Sequence, residues 1–387
     1  MFSRVSVFSP NWLGDAVMAL PAVGAIRRHF PDSRLVMVAR RWLAPLYETV
    51  KGIDEILVLE SAGGVGGTAR RKKNIRSLAN SGLELAVLLP NSFSSAWLAW
   101  RAGIPERWGY RRDGRGRLLT RGVEAPRGSR HQSEYYRLLI AGLGIPADPG
   151  REAIRECLTV ADRARSAARE LLGRRGCRPG DVLVAVAPGA AYGQAKRWPP
   201  DRYASLVAGL ADREGVTSII VGGASDRGAA GEIERCLSRK RVAAARQGGG
   251  VRWVNLVGQT DLPLLVGVLA ECRALVSNDS GAMHLASACG VPVIAIFGST
   301  NESETSPLVF EEAGRAGADV PPAERGAGGH VILTNPVWCR PCMLRECPID
   351  HRCMTGIRVS RVADVVASEL ARLQSCRTEQ GERGREA

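Results

Sequence analysis

Short apolar runs recur along this chain, most of them followed by polar residues, proline or glycine. In the first half they fall at 5–9, 35–38, 56–59 and 85–89; in the second at 182–187, 217–221, 251–257, 274–277 and 293–297. Runs of this length bounded by turn residues predict buried strands. Between them the apolar period changes to that of a helix. Val17, Leu20, Val23, Ile26 and Phe30 share one face of a helix predicted over 16–30, which Pro31 stops. Further helices are predicted at 41–50, 96–102, 131–143, 202–212, 228–237, 263–270, 282–289 and 358–373. Strand and helix alternate as in a parallel, doubly wound sheet, and the rhythm occurs twice. We therefore expect two Rossmann-like domains, 1–168 and 169–357, joined by a Pro-, Gly- and Arg-rich connection near 147–180. A terminal helix, 358–373, and a charged, disordered tail, 374–387, follow.

The length of 387 residues supports this division, because one core seldom grows so large. With 45% hydrophobic and 24% charged residues the composition is that of an ordinary globular protein. No run reaches the roughly 18 apolar residues needed to span a bilayer. The start reads as a strand rather than a cleavable leader, so a cytoplasmic protein is expected, resting at most on a membrane surface. In that compartment the ten cysteines are expected to be mostly reduced. The formal charge of +14 is carried almost wholly by arginine, with lysine at only five positions. Such a surface suits phosphorylated partners, anionic headgroups or nucleic acid.

The candidate chemistry lies in the turns after the strands, the edge of an open α/β sheet where ligands sit. After 274–277 comes Asn278-Asp279-Ser280-Gly281, and then a short helix. The turn aims the N–H groups of Ser280, Gly281 and Ala282, with the positive helix end, at one point suited to phosphate. His284, one turn into the helix, is on the side that reaches the same anion. Asp279, being acidic, should face hydroxyls. After 182–187, the loop PGAAYGQAKRWP carries Lys196, read as a point charge for a diphosphate, and Trp198, read as packing. Asp226, in GGASDR, could accept from ribose hydroxyls or cap the next helix.

In the first half, Gly14-Asp15 follows the first strand. Asp15 is either a carboxylate favouring the helix dipole or a general base. Asn91 follows the fourth strand, after Pro90. Arg70, Arg71, Lys72, Lys73 and Arg76 form a cationic patch in a stretch read as a mobile loop entering a helix, and Arg111, Arg112, Arg115 and Arg117 are candidates for the same face. No aromatics are interleaved with the basic run, which disfavours single-stranded nucleic acid. Near the end, Cys339, Cys342, Cys347 and Cys353, with His351 among them, have a spacing open to a structural metal or to plain thiols. The stretch 309–330 matches no pattern and is expected to be a floppy excursion.

The strings NWLGDAVMALPAV, PGAAYGQAKRWP and NDSGAMHLASACGVPVIAIFGST, taken together, resemble the bacterial heptosyltransferases of glycosyltransferase family 9. The cysteine segment and LPNSFSSAWLAWRAGIPERWGYR are similar to the second of that family's heptosyltransferase types. The resemblance implies a GT-B fold, two facing Rossmann-like domains with a C-terminal helix returning to the first. It implies inverting, metal-independent transfer of heptose from ADP-heptose, with no cofactor, to the first heptose of the lipopolysaccharide inner core. Asp15 would be the base, and Lys196 would stabilise the leaving diphosphate. Asp226, Asp279, Ser280, Gly281, Ala282 and His284 would hold the donor. Arg70, Arg71, Lys72, Lys73 and Asn91 would hold the phosphorylated lipid A–inner core acceptor, at the cytoplasmic face of the inner membrane. Ala191 departs from relatives that place a hydroxyl against phosphate there. Two alternatives are another nucleotide sugar with another envelope glycan, and a non-catalytic nucleotide- or nucleic-acid-binding protein.

Overall fold

A computed structural model describes residues 2–61, 63–64, 66–147, 158–245, 252–308 and 329–383. The chain divides into two compact units, Met1–Thr159 and Val160–Ala387.

The first unit is a six-stranded parallel sheet: β1 (Arg4–Phe8), β2 (Arg34–Arg40), β3 (Glu55–Leu59), β4 (Leu85–Leu88), β5 (Glu106–Tyr110) and β6 (Arg121–Val123), in the order β3-β2-β1-β4-β5-β6. Its helices are α1 (Leu13–Met18), α2 (Leu20–His29), α3 (Ala44–Tyr47), α4 (Gly67–Ala79), α5 (Phe93–Arg101) and α6 (Gln132–Gly142). The central strands are apolar throughout because helices cover both faces, as parallel sheets require. Val5, Val7, Val36, Val87 and Leu88 are all at 0% exposure. The single helix predicted over 16–30 is two. Pro21 sits in the first turn of α2, where its missing N–H costs nothing, and the chain restarts there after Ala19.

The second unit repeats the plan. Its strands are β7 (Leu183–Ala187), β8 (Thr217–Ile220), β9 (Trp253–Asn255), β10 (Ala274–Asn278), β11 (Val293–Phe297) and β12 (Val331–Thr334). They run parallel in the order β12-β11-β10-β7-β8-β9, the same order as in the first unit. Its helices are α7 (Asp162–Arg174), α8 (Pro200–Glu214), α9 (Arg227–Ala245), α10 (Leu262–Glu271), α11 (Gly281–Ala288), α12 (Glu302–Thr305), α13 (Arg352–Thr355) and α14 (Val359–Arg383). Among the described residues no helix is long and apolar enough to cross a membrane.

Two boundaries differ from those expected. The chain leaves the first unit before position 168. Thr159 still donates to the Thr49 carbonyl at 3.1 Å, whereas α7 already packs on α10. There a Cβ on Gly267 would lie 2.2 Å from the Ala164 carbonyl oxygen, so glycine is what lets the two helices approach. In the terminal helix, Val362, Val366 and Leu370 enter the second unit's own core beside α8. The tail read as disordered from 374 continues as helix to Arg383, because Gln, Arg and Glu propagate a helix already nucleated. Of the stretch 309–330, all but the last two residues lie outside those described, as does the connection over 148–157.

Next to that stretch, His330 is 3% exposed. Its Nδ1 accepts from the Val293 N–H at 3.1 Å, and its Nε2 lies 3.0 Å from the Leu308 carbonyl and 3.1 Å from Ser287 Oγ. This is a neutral ring, and burial lowers its pKa to about 4. The folded value lies below the unfolded one, so the contribution is intact above about 6.5 and is lost as pH falls towards 4, by up to about 3 kcal/mol. The urea midpoint should therefore fall between pH 7 and pH 5, and fall less in His330→Gln. An equal fall in both chains would contradict this assignment.

Candidate donor and acceptor sites

In a sheet of this strand order, the topological switch lies between the first and fourth strands, and ligands bind beyond their carboxyl ends. In the second unit those strands are β7 and β10. Beyond β7 comes the 188–199 loop; beyond β10 comes Asn278-Asp279-Ser280. Asn278, at 0% exposure, ties the two together. Its Nδ2 donates to the Pro188 carbonyl at 2.8 Å. Its Oδ1 accepts from the Trp198 N–H at 3.0 Å and the Tyr203 hydroxyl at 2.9 Å. One amide thereby clamps both ends of the loop that carries Lys196.

Lys196 Nζ lies 2.7 Å from Asp279 Oδ2, both side chains largely buried. The same oxygen accepts from Thr300 Oγ1 at 2.7 Å and Thr305 Oγ1 at 3.3 Å. Tyr192 stacks under the ammonium, 5.1 Å from ring centroid to Nζ. Lys196 was expected on phosphate and Asp279 on sugar hydroxyls; the two side chains also meet one another. Each is the other's partner, since a lone charge at this depth is costly. An anion entering here shares Lys196 with Asp279.

Ser280, Gly281 and Ala282 open α11 and are partly exposed, while Asp279 behind them is 5% exposed. The first N–H groups of a helix have no carbonyl partner within it and point outward. Ser280 Oγ is 2.9 Å from Ser277 Oγ, so its side chain turns back to the strand. His284, expected to reach the anion, is 2% exposed on the inward face of α11. Asp226 is already engaged: it accepts from the Gly223 N–H at 3.0 Å and lies 3.8 Å from Arg197. A Cβ at Gly189 would lie 2.3 Å from its carboxyl carbon, so that glycine makes room for it.

The cysteine segment braces the same loop. Tyr192 Oη donates to the Met343 carbonyl at 2.9 Å, and the Ala195 N–H to that of Arg345 at 2.9 Å. His351 Nε2 is 2.7 Å from the Ala195 carbonyl. Cys339, Cys342, Cys347 and Cys353 line one small cavity with His351 and Ser299. Among the described residues, however, no group of three His, Cys, Asp or Glu side chains is arranged to hold a metal. Burial, and then the neighbouring cysteines, raise the Cys353 pKa. Trp198 packs as expected: it is 1% exposed and its Nε1 donates to the Ile357 carbonyl.

In the first unit the switch strands are β1 and β4, and two predicted residues follow them. Asp15 is in the first turn of α1, partly buried. Its charge, after burial, helps hold the Tyr136 phenol well above the usual range. Asn91 Nδ2 donates to the Tyr135 hydroxyl at 2.9 Å. The basic residues read as part of a mobile loop all lie on α4. Lys73 pairs with Glu60 at 2.6 Å, Arg70 donates to the Ser61 and Gly63 carbonyls at 2.6 Å, and Arg71 covers the Trp97 ring. Lys72 is exposed. Arg115, a candidate for the surface patch, is instead 0% exposed. It donates to the Tyr110 and Pro90 carbonyls, fixing the turn that carries Asn91, and burial lowers its pKa to about 10.

Two units, each a parallel sheet of this strand order, one with a phosphate-type helix start beside a lysine, have the make-up of the GT-B glycosyltransferases. The family model described as glycosyltransferase family 9 (heptosyltransferase) matches residues 71–316. The chain belongs to that family. It is 31% identical over 309 residues to lipopolysaccharide heptosyltransferase 2 of Escherichia coli K12, covering 79% of this chain and 85% of that protein. It is 30% identical to lipooligosaccharide heptosyltransferase 2 of Haemophilus ducreyi, covering 79% and 86%. The solved structure of the E. coli ADP-heptose lipopolysaccharide heptosyltransferase II superposes with a TM-score of 0.75 at 25% identity, covering 96% of this chain and 99% of that one.

Proposed function

We propose that this chain transfers heptose from ADP-heptose to a heptose of the lipopolysaccharide inner core, with inversion, at the inner face of the membrane that carries the acceptor. The Lys196–Asp279 pair at the start of α11 carries this reading. It provides a screened, preorganised cation beside outward N–H groups, which suits a diphosphate that gains charge as the glycosidic bond breaks. In the reaction the acceptor hydroxyl attacks the anomeric carbon, the bond to the diphosphate breaks, and ADP leaves. Asp15 takes the hydroxyl proton as the new bond forms. Lys196 and the Ser280–Ala282 amides hold the charge left on ADP. The geometry gives Asp279 a prior task, holding Lys196 in place. Asn91 and the α4 cations Arg71 and Lys72 are the proposed acceptor contacts.

Donor competition tests the assignment. ADP-heptose should support transfer, and ADP should inhibit it well below the concentrations needed for UDP or GDP. Transfer from a UDP- or GDP-sugar with no response to ADP would move the chain to another donor within the family.

A further inference from the structure

Helix α5 has a face that the first unit leaves uncovered. Its inward residues, Ala96 and Ala99, are at 0% exposure. Phe93, Trp97 and Trp100 fall at i, i+4 and i+7, on one stripe beside that inward face. Phe93 is 49% and Trp100 46% exposed. Cations border the stripe. The Arg71 guanidinium, from neighbouring α4, lies 5.6 Å from the Trp97 ring centroid, and that of Arg101 lies 5.8 Å from Trp100. Between positions 61 and 105 the sequence has six basic residues and one acidic residue, Glu84. Glu84 is at the far end of β4, bonded to Ser3. The stripe is thus both aromatic and surrounded by positive charge.

We propose that this α4–α5 surface docks on an anionic lipid bilayer. Tryptophan settles at the headgroup boundary, where one end of its ring is apolar and the other wet, and phenylalanine adds apolar area to bury beside it. Lysine and arginine beside them are drawn to the negative surface, and the arginines are positioned to reach headgroup phosphates over their own aromatic partners. Glu60, just before this stretch, offsets Lys73 alone, and the remaining cationic excess favours an anionic surface. Position supports the same conclusion. Phe93 follows Asn91 by two residues, so the docked face adjoins the carboxyl end of β4, where the acceptor belongs in the proposed function. The inference rests on that reading only for what the lipid carries. The docking itself does not need it.

The test is co-sedimentation with vesicles of phosphatidylcholine alone and with added phosphatidylglycerol, using the full chain and the Phe93→Ser/Trp100→Ser variant. Wild type should bind the phosphatidylglycerol vesicles, lose that binding as salt rises, and ignore phosphatidylcholine. The variant should bind about tenfold more weakly or worse. Both side chains are half-exposed, so its melting temperature should match wild type. On a delipidated, soluble acceptor the variant should keep kcat/KM within about twofold, whereas its KM for vesicle-embedded acceptor rises. Equal vesicle binding by the two chains would overturn the proposal. So would wild type that ignores vesicles but forms an oligomer the variant cannot form, which would assign the face to a protein partner. Failure of transfer from ADP-heptose with vesicle binding intact would sink the proposed reaction and leave the docking surface standing.

Discussion

Asp15→Asn should abolish most turnover while leaving ADP binding within about twofold of wild type. Removing a general base costs roughly 10²–10⁴ in rate. The proposed donor-binding groups are all in the second unit, and Asp15 is in the first, at the start of α1. The substitution keeps size and hydrogen-bonding capacity but cannot accept a proton at neutral pH. A helix-dipole carboxylate predicts something different: Asp15→Asn would cost about 0.3–1 kcal/mol of stability and little rate. Titration calorimetry with ADP, a melting curve and a transfer assay on one preparation separate these outcomes. Loss of rate with normal ADP affinity and a small change in melting supports the base; wild-type rate rejects it.

The second large effect concerns Lys196. Lys196→Met should weaken ADP binding and lower kcat, by about 10² or more, if the ammonium holds charge that grows in the transition state. It should also destabilise the fold, because Asp279 Oδ2 is left buried without its ammonium, with Thr300 and Thr305 donating to it. Breaking one side of a buried pair costs up to about 3–5 kcal/mol, and the two threonines should reduce that. The double variant Lys196→Met/Asp279→Asn removes the orphaned charge and should recover much of the stability without recovering activity. Denaturant midpoints and transfer rates for the two variants check this. If activity returned with stability, Lys196 would be only a structural partner of Asp279.

Much of the architecture was legible because parallel strands buried on both faces are written as short apolar runs, as at 85–88 and 293–297. The turns after β1, β7 and β10 were also legible, since Asp15, Lys196 and Asp279 stand next to glycines at strand ends. What could not be read was which partners these groups take. Asn278 lies inside a recognised motif, yet its role depends on the Pro188 carbonyl and Trp198 N–H, some ninety and eighty positions away. Thr300 was visible at the end of a strand, and only the sheet order brings it to Asp279. The α4 cations were misplaced in a loop because glycines at 63, 64, 66 and 67 precede them; the helix begins at Gly67, after Gly66 adopts the left-handed conformation. Arg115 was misread because arginine is seldom fully buried, and nothing in RRDGRGR marks which one turns inward.

The most direct test of the central claim is transfer from ADP-heptose to two defined inner-core acceptors, one already carrying its first heptose and one without it, followed by mass spectrometry. The account predicts that the first gains one heptosyl unit, with ADP released in equal amount, and that the second is a poor substrate. No heptosyl gain on either acceptor, by a folded enzyme that binds ADP, would contradict it.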